Sequence, residues 1–182
     1  NEKEELWYQR TFDVPSAWRG KQILLHFGAV DWKAEVWVND VKVGEHTGGF
    51  TPFYFDITSV LNKGNNDLVV KVWDPSDRGE QPRGKQIANP HGIWYTPVTG
   101  IWQTVWLEPV ATQYITNLKT TPDIDNNSVK VEVAANTTSA DKVEVKVFDG
   151  KNLVAKGAAL NGVPVELAMP ANAKLWSPDS PF

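Results

Sequence analysis

From residue 6 onward, apolar and polar positions alternate in short runs, the period-two pattern of half-buried strands, and helical spacing is nearly absent. In the first part of the chain the strand candidates are "LWYQRTFDV" (6–14), "KQILLHFGA" (21–29), "KAEVWV" (33–38), 41–45, 51–56, "DLVVKVWD" (67–74) and "IWQTVWLEP" (101–109). "VND" at 38–40 predicts a tight hairpin, because Asn and Asp tolerate left-handed backbone. "ITSVLNKGNN" (57–66) predicts a short helical turn closed by Gly64, then an Asn-rich loop. Further on, "YITNLKTTPDI", "SVKVEVAANTT", "KVEVKVFDG", "NLVAKGAAL" and "VPVELAMP" alternate cleanly between regularly spaced turns, the signal of an immunoglobulin-type β-sandwich.

The pattern therefore predicts an all-β chain of two domains, 1–110 and 111–182. The second stretch is shorter than the roughly 100 residues of a complete immunoglobulin sandwich, so that domain is expected to be incomplete. One segment breaks the pattern. "PSDRGEQPRGKQIANPHG" (75–92) is a long polar connection rich in Pro and Gly, and connections beyond about 12 to 15 residues are uncommon unless they carry function or are disordered.

Composition narrows the partners. A net charge of -4 without a basic run gives no electrostatic footprint for nucleic acid or an anionic membrane. No apolar run approaches the roughly 20 residues of a spanning helix, and the charged start "NEKEEL" is not a signal peptide. Absence of cysteine excludes disulfides and thiolate chemistry. His26, His46 and His91 stand apart without a second ligand at metal spacing, and no nucleotide or nucleophile motif occurs, so neither metal nor cofactor is expected. Nine tryptophans are the compositional excess, which points to an aromatic core or to stacking surfaces.

Three strings give the chain a resemblance: "VNDVKVGEHTGGFTPFYFDIT" (38–58), "TGIWQTVWLEP" (99–109) and "LWSPDSPF" (175–182) look like successive signatures of glycoside hydrolase family 2, the family of β-galactosidases, β-glucuronidases and β-mannosidases. The resemblance implies a jelly-roll sugar-binding domain at 1–110, an immunoglobulin-like domain from 111, and a third domain, a (β/α)8 barrel with the catalytic glutamates. Such a barrel needs about 250 residues, more than this chain contains. The expectation is a non-catalytic N-terminal portion of a β-galactosidase-like enzyme, with no catalytic residue of its own, framing the barrel's active site. Its implied partners are carbohydrate and the barrel, and its implied compartment is the periplasm or the exterior of a bacterium. The exposed edges of an incomplete sandwich predict dimerisation or strand exchange. The alternatives are an autonomous carbohydrate-binding module and a structural or adhesion sandwich.

The polar loop holds the candidate substrate contacts. The resemblance puts Asp77 where the β-galactosidases carry a sugar-binding Asp, with Asp74 the alternative if the loop is offset. A carboxylate accepts hydrogen bonds from two vicinal hydroxyls, and the bland reading is that both residues start turns. Arg83 and Lys85 offer cations for docking or for substrate. His91 adjoins Trp94 and Tyr95, which leave the loop where a ring is presented to a sugar's CH face or fastens the loop to the sandwich. The other tryptophans read as packing: Trp102 and Trp106 on a strand covered on both sides, Trp7, Trp37 and Trp73 inside strand runs. Trp18 and Trp32 read as exposed turn aromatics, and Trp176 as packing toward a neighbouring domain.

Overall fold

The structure, a computed structural model, describes residues 5–181; positions 1–4 of the charged start and Phe182, the end of the third string, lie outside the described residues. Its helical segments are two single 3-10 turns, Ser16–Trp18 and Thr58–Val60. The chain divides into two compact units, Asn1–Thr112 and Gln113–Phe182.

The first unit contains β1 (Glu5–Asp13), β2 (Gln22–Phe27), β3 (Val30–Asp31), β4 (Lys33–Val38), β5 (Val41–Thr47), β6 (Phe53–Asp56), β7 (Asn65–Trp73), β8 (Gly100–Ile101) and β9 (Val105–Val110). They form an antiparallel sheet in the order β1-β7-β4-β5, a second in the order β6-β2-β9, and a short β3-β8 ribbon. Alternation explains the pairing. In β4, Ala34, Val36 and Val38 are fully buried while Lys33, Glu35 and Trp37 take the outer face. Ile23, Leu25 and Phe27 of β2 meet Val70 and Val72 of β7 and Ile57 in one core. Burying a side chain of this size contributes about 1.5–3 kcal/mol.

The hairpin at 38–40 forms, with Asn39 and Asp40 at φ 49° and 64°, the left-handed pair that a two-residue loop between strands requires. Asn39 also donates from Nδ2 to the Val60 carbonyl and to Asn66 Oδ1, and accepts from the Asp67 amide, so one turn residue clamps three segments. Asn65 and Asn66 belong to β7 rather than to a loop. Asn66 is 1% exposed, with its Oδ1 taking the Asn62 amide and its Nδ2 donating to the Gly64 carbonyl. A buried amide with partners on both its oxygen and its nitrogen fits a strand position that composition assigns to a loop.

Several tryptophans differ from expectation. The run at 101–109 splits into β8 and β9, and only one of its faces is covered: Trp102 and Trp106 remain 48% and 42% exposed. Trp106 stacks on His26 across the ladder at 4.7 Å, and Trp102 Nε1 donates to the Gly49 carbonyl at 2.7 Å. Trp7, 60% exposed, and Trp37 lie on the outer face of the larger sheet, their rings 5.9 Å apart with Lys71 and Lys42 over them. Trp18, expected to be exposed, closes its 3-10 turn against the core.

The second unit contains β10 (Ile115–Asp123), β11 (Ser128–Ala135), β12 (Lys142–Asp149), β13 (Asn152–Leu160) and β14 (Val165–Ala168). A β10-β11-β14 sheet faces the β12-β13 hairpin, and Val131, Val133 and Leu167 form the centre with Val143, Val145 and Val147 against them. The layers meet closely at Gly157, where a Cβ would come within 2.6 Å of Leu167. Asn161 brackets the unit, accepting from the Ala135 amide and donating to the Ala135 and Thr137 carbonyls.

Candidate functional site

The polar loop leaves β7 after Trp73 and returns at Gly100, where β8 pairs with β3 through Asp31 and Gly100. Both ends thus start from paired strands, β7 inside the larger sheet and β8 on β3. Asp74 is 8% exposed, and both of its oxygens are used: Oδ1 accepts from the Ser76 amide at 2.7 Å and Oδ2 from Thr99 Oγ1 at 2.6 Å. One carboxylate therefore ties the two ends of the loop together.

Asp77 sits further out and half-buried, its Oδ2 accepting from the Ala88 amide at 2.9 Å across the loop. A carboxylate has about four lone-pair positions, so acceptor capacity remains beyond this bond. Gln81 Nε2 donates to the Ser76 and Arg78 carbonyls, and Arg83 reaches the Gly79 carbonyl. Gln86 bridges in parallel to Tyr95 and accepts the Val98 amide at 2.6 Å, while the Tyr95 amide donates to the Lys85 carbonyl and its own carbonyl accepts from Ile87. The loop is held by bonds within itself and at its two ends.

That scaffold presents Lys85, His91, Trp94 and Tyr95 outward. His91 Nδ1 lies 2.8 Å from the Asn89 carbonyl, and its backbone carbonyl takes the Trp94 amide. The Trp94 ring is 37% exposed and the Tyr95 ring 65%. The two readings of Tyr95 coexist, since its backbone fastens the loop and its ring faces solvent. Asp74 is the one candidate withdrawn from the surface, with both oxygens bonded to residues of the loop's own ends.

A residue without a signal in the sequence joins this site. Asp31 is 8% exposed and lines, with Asp74, Ser76, Gln81, Arg83 and Gln86, a narrow crevice under the loop. Its carboxylate accepts no hydrogen bond from another described residue, and it abuts Gly49, where a Cβ would come within 2.5 Å of Oδ1. Burial first and the neighbouring Asp74 charge second push its pKa up to about 6. The crevice thus pairs a bonded carboxylate with an unbonded one of raised pKa. In the sequence Asp31 is a lone acid between Val30 and Trp32, and only tertiary contact with Asp74 distinguishes it. Among the described residues no group of three or more His, Cys, Asp or Glu side chains is placed to hold a metal ion. Among them, too, no helix is long and apolar enough to cross a membrane.

The longest loop of this antiparallel sandwich thus carries acids, cations and exposed rings on a braced backbone. The chain belongs to the family described as glycosyl hydrolases family 2, sugar binding domain, which it matches over residues 1–108. It is 28% identical over 188 residues to a β-galactosidase of Thermoanaerobacter pseudethanolicus, covering 97% of this chain and 24% of that one. Human β-glucuronidase is 27% identical over 197 residues, with 95% and 30% covered. Among solved structures, β-glucuronidase from Ruminococcus gnavus in complex with D-glucaro-d-lactam superposes with a TM-score of 0.77 at 26% identity, covering 97% of this chain and 32% of that one. The chain spans about a quarter to a third of the length of these relatives.

Proposed function

We propose that this chain acts as the sugar-binding and adjoining β-sandwich part of a glycoside hydrolase that cleaves β-linked pyranosides, and that the 74–99 loop lines the active site supplied by a catalytic barrel. The observation that carries this reading is the braced loop itself: Asp74 and Gln86 close it from within, Lys85, Trp94 and Tyr95 are left exposed, and the half-buried Asp77 keeps acceptor capacity beyond its bond to the Ala88 amide. In this reading Asp77 accepts hydrogen bonds from sugar hydroxyls, Trp94 and Tyr95 stack on the ring's CH face, and Arg83, Lys85 and His91 contact the barrel or the substrate's polar edge. Hydrolysis requires two carboxylates flanking the scissile bond, which the barrel provides. The matched relatives bear both β-galactosidase and β-glucuronidase names, so both glycosides belong in the assay.

The test is hydrolysis of nitrophenyl β-galactoside and β-glucuronide by the protein extended along its natural reading frame, beside the 182-residue chain. Activity in the extended protein alone is expected, and an extended protein that cleaves neither glycoside overturns the proposal. Asp77→Asn keeps an acceptor for the Ala88 amide and removes the charge; a rise in KM of about tenfold is expected from loss of one charge-assisted bond. An unchanged KM would remove Asp77 from the site.

A further inference from the structure

The first sandwich is closed on one side and open on the other. At the β5 and β6 edges the sheets meet directly, with the Phe55 ring filling the space a Cβ at Gly44 would take. At the opposite side, β1 ends the larger sheet and β9 the smaller, and a groove of about 620 Å³ runs between them, lined mainly by apolar side chains, Tyr8, Phe12, Leu25, Val105 and Leu107 among them, with Arg10 between Tyr8 and Phe12 on β1. These are inward positions. Tyr8 and Phe12 face the core beside Val70 and Asn66, yet Leu6 and Tyr8 remain 39% and 37% exposed while Val70 and Val72 are sealed.

The backbone on this side is unpaired as well. The Ile23 amide donates to Thr58 Oγ1 and its carbonyl accepts from the Ile57 amide, so Ile23 turns both groups away from β9 and its pair with Pro109 is not hydrogen-bonded. Pairs alternate along an antiparallel ladder. Val105, Leu107 and Pro109 therefore direct their free backbone groups outward over the groove, and their side chains line it or adjoin it. An edge with apolar positions in register and open donors and acceptors is a template for one more strand.

We infer that an extended β-strand from the same polypeptide, outside residues 1–182, lies antiparallel along β9 and fills this groove. The size fits: a vacated large side chain leaves about 150 Å³, so the groove takes about four, and four inward residues at period two make a strand of about eight. β1 spans 9 residues and β9 spans 6. A source in the same polypeptide is favoured because the relatives are three to four times longer than the part this chain covers.

Hydrogen exchange at Val105 and Leu107 decides the matter, compared between the 182-residue chain and the protein extended along its natural reading frame. The expected result is fast exchange in the former and at least a hundredfold slowing in the latter. Val105→Pro removes a donor from the free edge and leaves the ladder to β2 intact, so in the extended protein it should restore fast exchange at Leu107 and in the 182-residue chain change nothing else. Equal, fast exchange in both proteins overturns the inference. So does protection in the 182-residue chain that follows its self-association by sedimentation, which would make a second copy the occupant.

Discussion

Replacing Asp31 by Asn isolates the energetic consequence of burying an unbonded carboxylate beside Asp74. The pKa of Asp31 is raised from 3.8 to about 6, so between those values the folded chain holds a proton that the unfolded chain releases. Stability changes with pH as the difference in bound protons, unfolded minus folded. That difference is negative here, so the contribution is fully present below about pH 4 and is lost as pH rises to about 6. A shift of about two units corresponds to about 3 kcal/mol, and solvent screening at the crevice mouth reduces the working figure to about 1–2 kcal/mol. The substituted amide carries no charge at any pH, so the variant should match the parent near pH 4 and exceed it by about 1–2 kcal/mol at pH 8, about 5 °C in Tm for a unit of this size. Urea unfolding from pH 4 to 8 measures this directly. The carboxylates Glu35 and Glu45, held low chiefly by hydrogen bonds from Lys42, are common to both proteins and cancel in the difference. Parallel pH curves for the two proteins, or a less stable variant at pH 8, would refute the reasoning.

Asp74→Ala leaves the Ser76 amide and the Thr99 hydroxyl without their acceptor and should cost about 1–3 kcal/mol; limited proteolysis should then cut within 74–99, and carboxyl NMR should show the Asp31 pKa falling. Phe27→Ala empties a fully buried position stacked on Phe53 and should destabilise the first unit by about 3–5 kcal/mol in thermal unfolding. Gly44→Ala drives a methyl into the Phe55 ring and should cost about 1–3 kcal/mol by the same assay. Asn161→Ala removes the bracket on Ala135 and Thr137, and faster amide exchange at Ala135 with a loss of about 1–3 kcal/mol is expected.

Alternation made most strands legible, because each half-buried strand writes its own period into the chain: β4 reads "KAEVWV" and buries every second residue. The 38–40 turn was legible for a similarly local reason, the left-handed tolerance of Asn39 and Asp40. What failed was the assignment of faces. "IWQTVWLEP" carries large residues on both sides, and alternation cannot say whether the second side meets another layer or solvent. In the candidate site, the loop was visible as a break in pattern, and Asp74 and Asp77 as acids at its start. The bond from the Ser76 amide to Asp74 is the local turn that Asp before Pro signals; that Asp74 also takes the Thr99 hydroxyl, and that Asp31 lies under the loop, depends on contacts across 25 residues or more of chain, for which spacing carries no signal.

The tryptophan excess resolves on the same grounds. A half-exposed ring needs no core if its neighbours on the sheet cover it, and cross-strand pairs give that cover at about 0.2–1 kcal/mol each. Trp106 lies over His26, which also meets Tyr54 from β6, while Trp7 and Trp37 lie against each other beneath Lys71 and Lys42. Those lysines are themselves held, Lys71 by Glu5 at 2.7 Å and Lys42 by Glu35 at 2.6 Å, so the outer face is a closed set of ring, cation and carboxylate contacts. A sugar arriving there would have to displace them. Trp94 and Tyr95 carry no ring partner among the described aromatic contacts, and their backbone is already fixed by His91 and Lys85. Stacking on a sugar would therefore displace no ring contact at these two positions, whereas at Trp7 or Trp106 it would break existing ones. That difference, more than exposure, is what favours the loop aromatics for the proposed sugar-facing role.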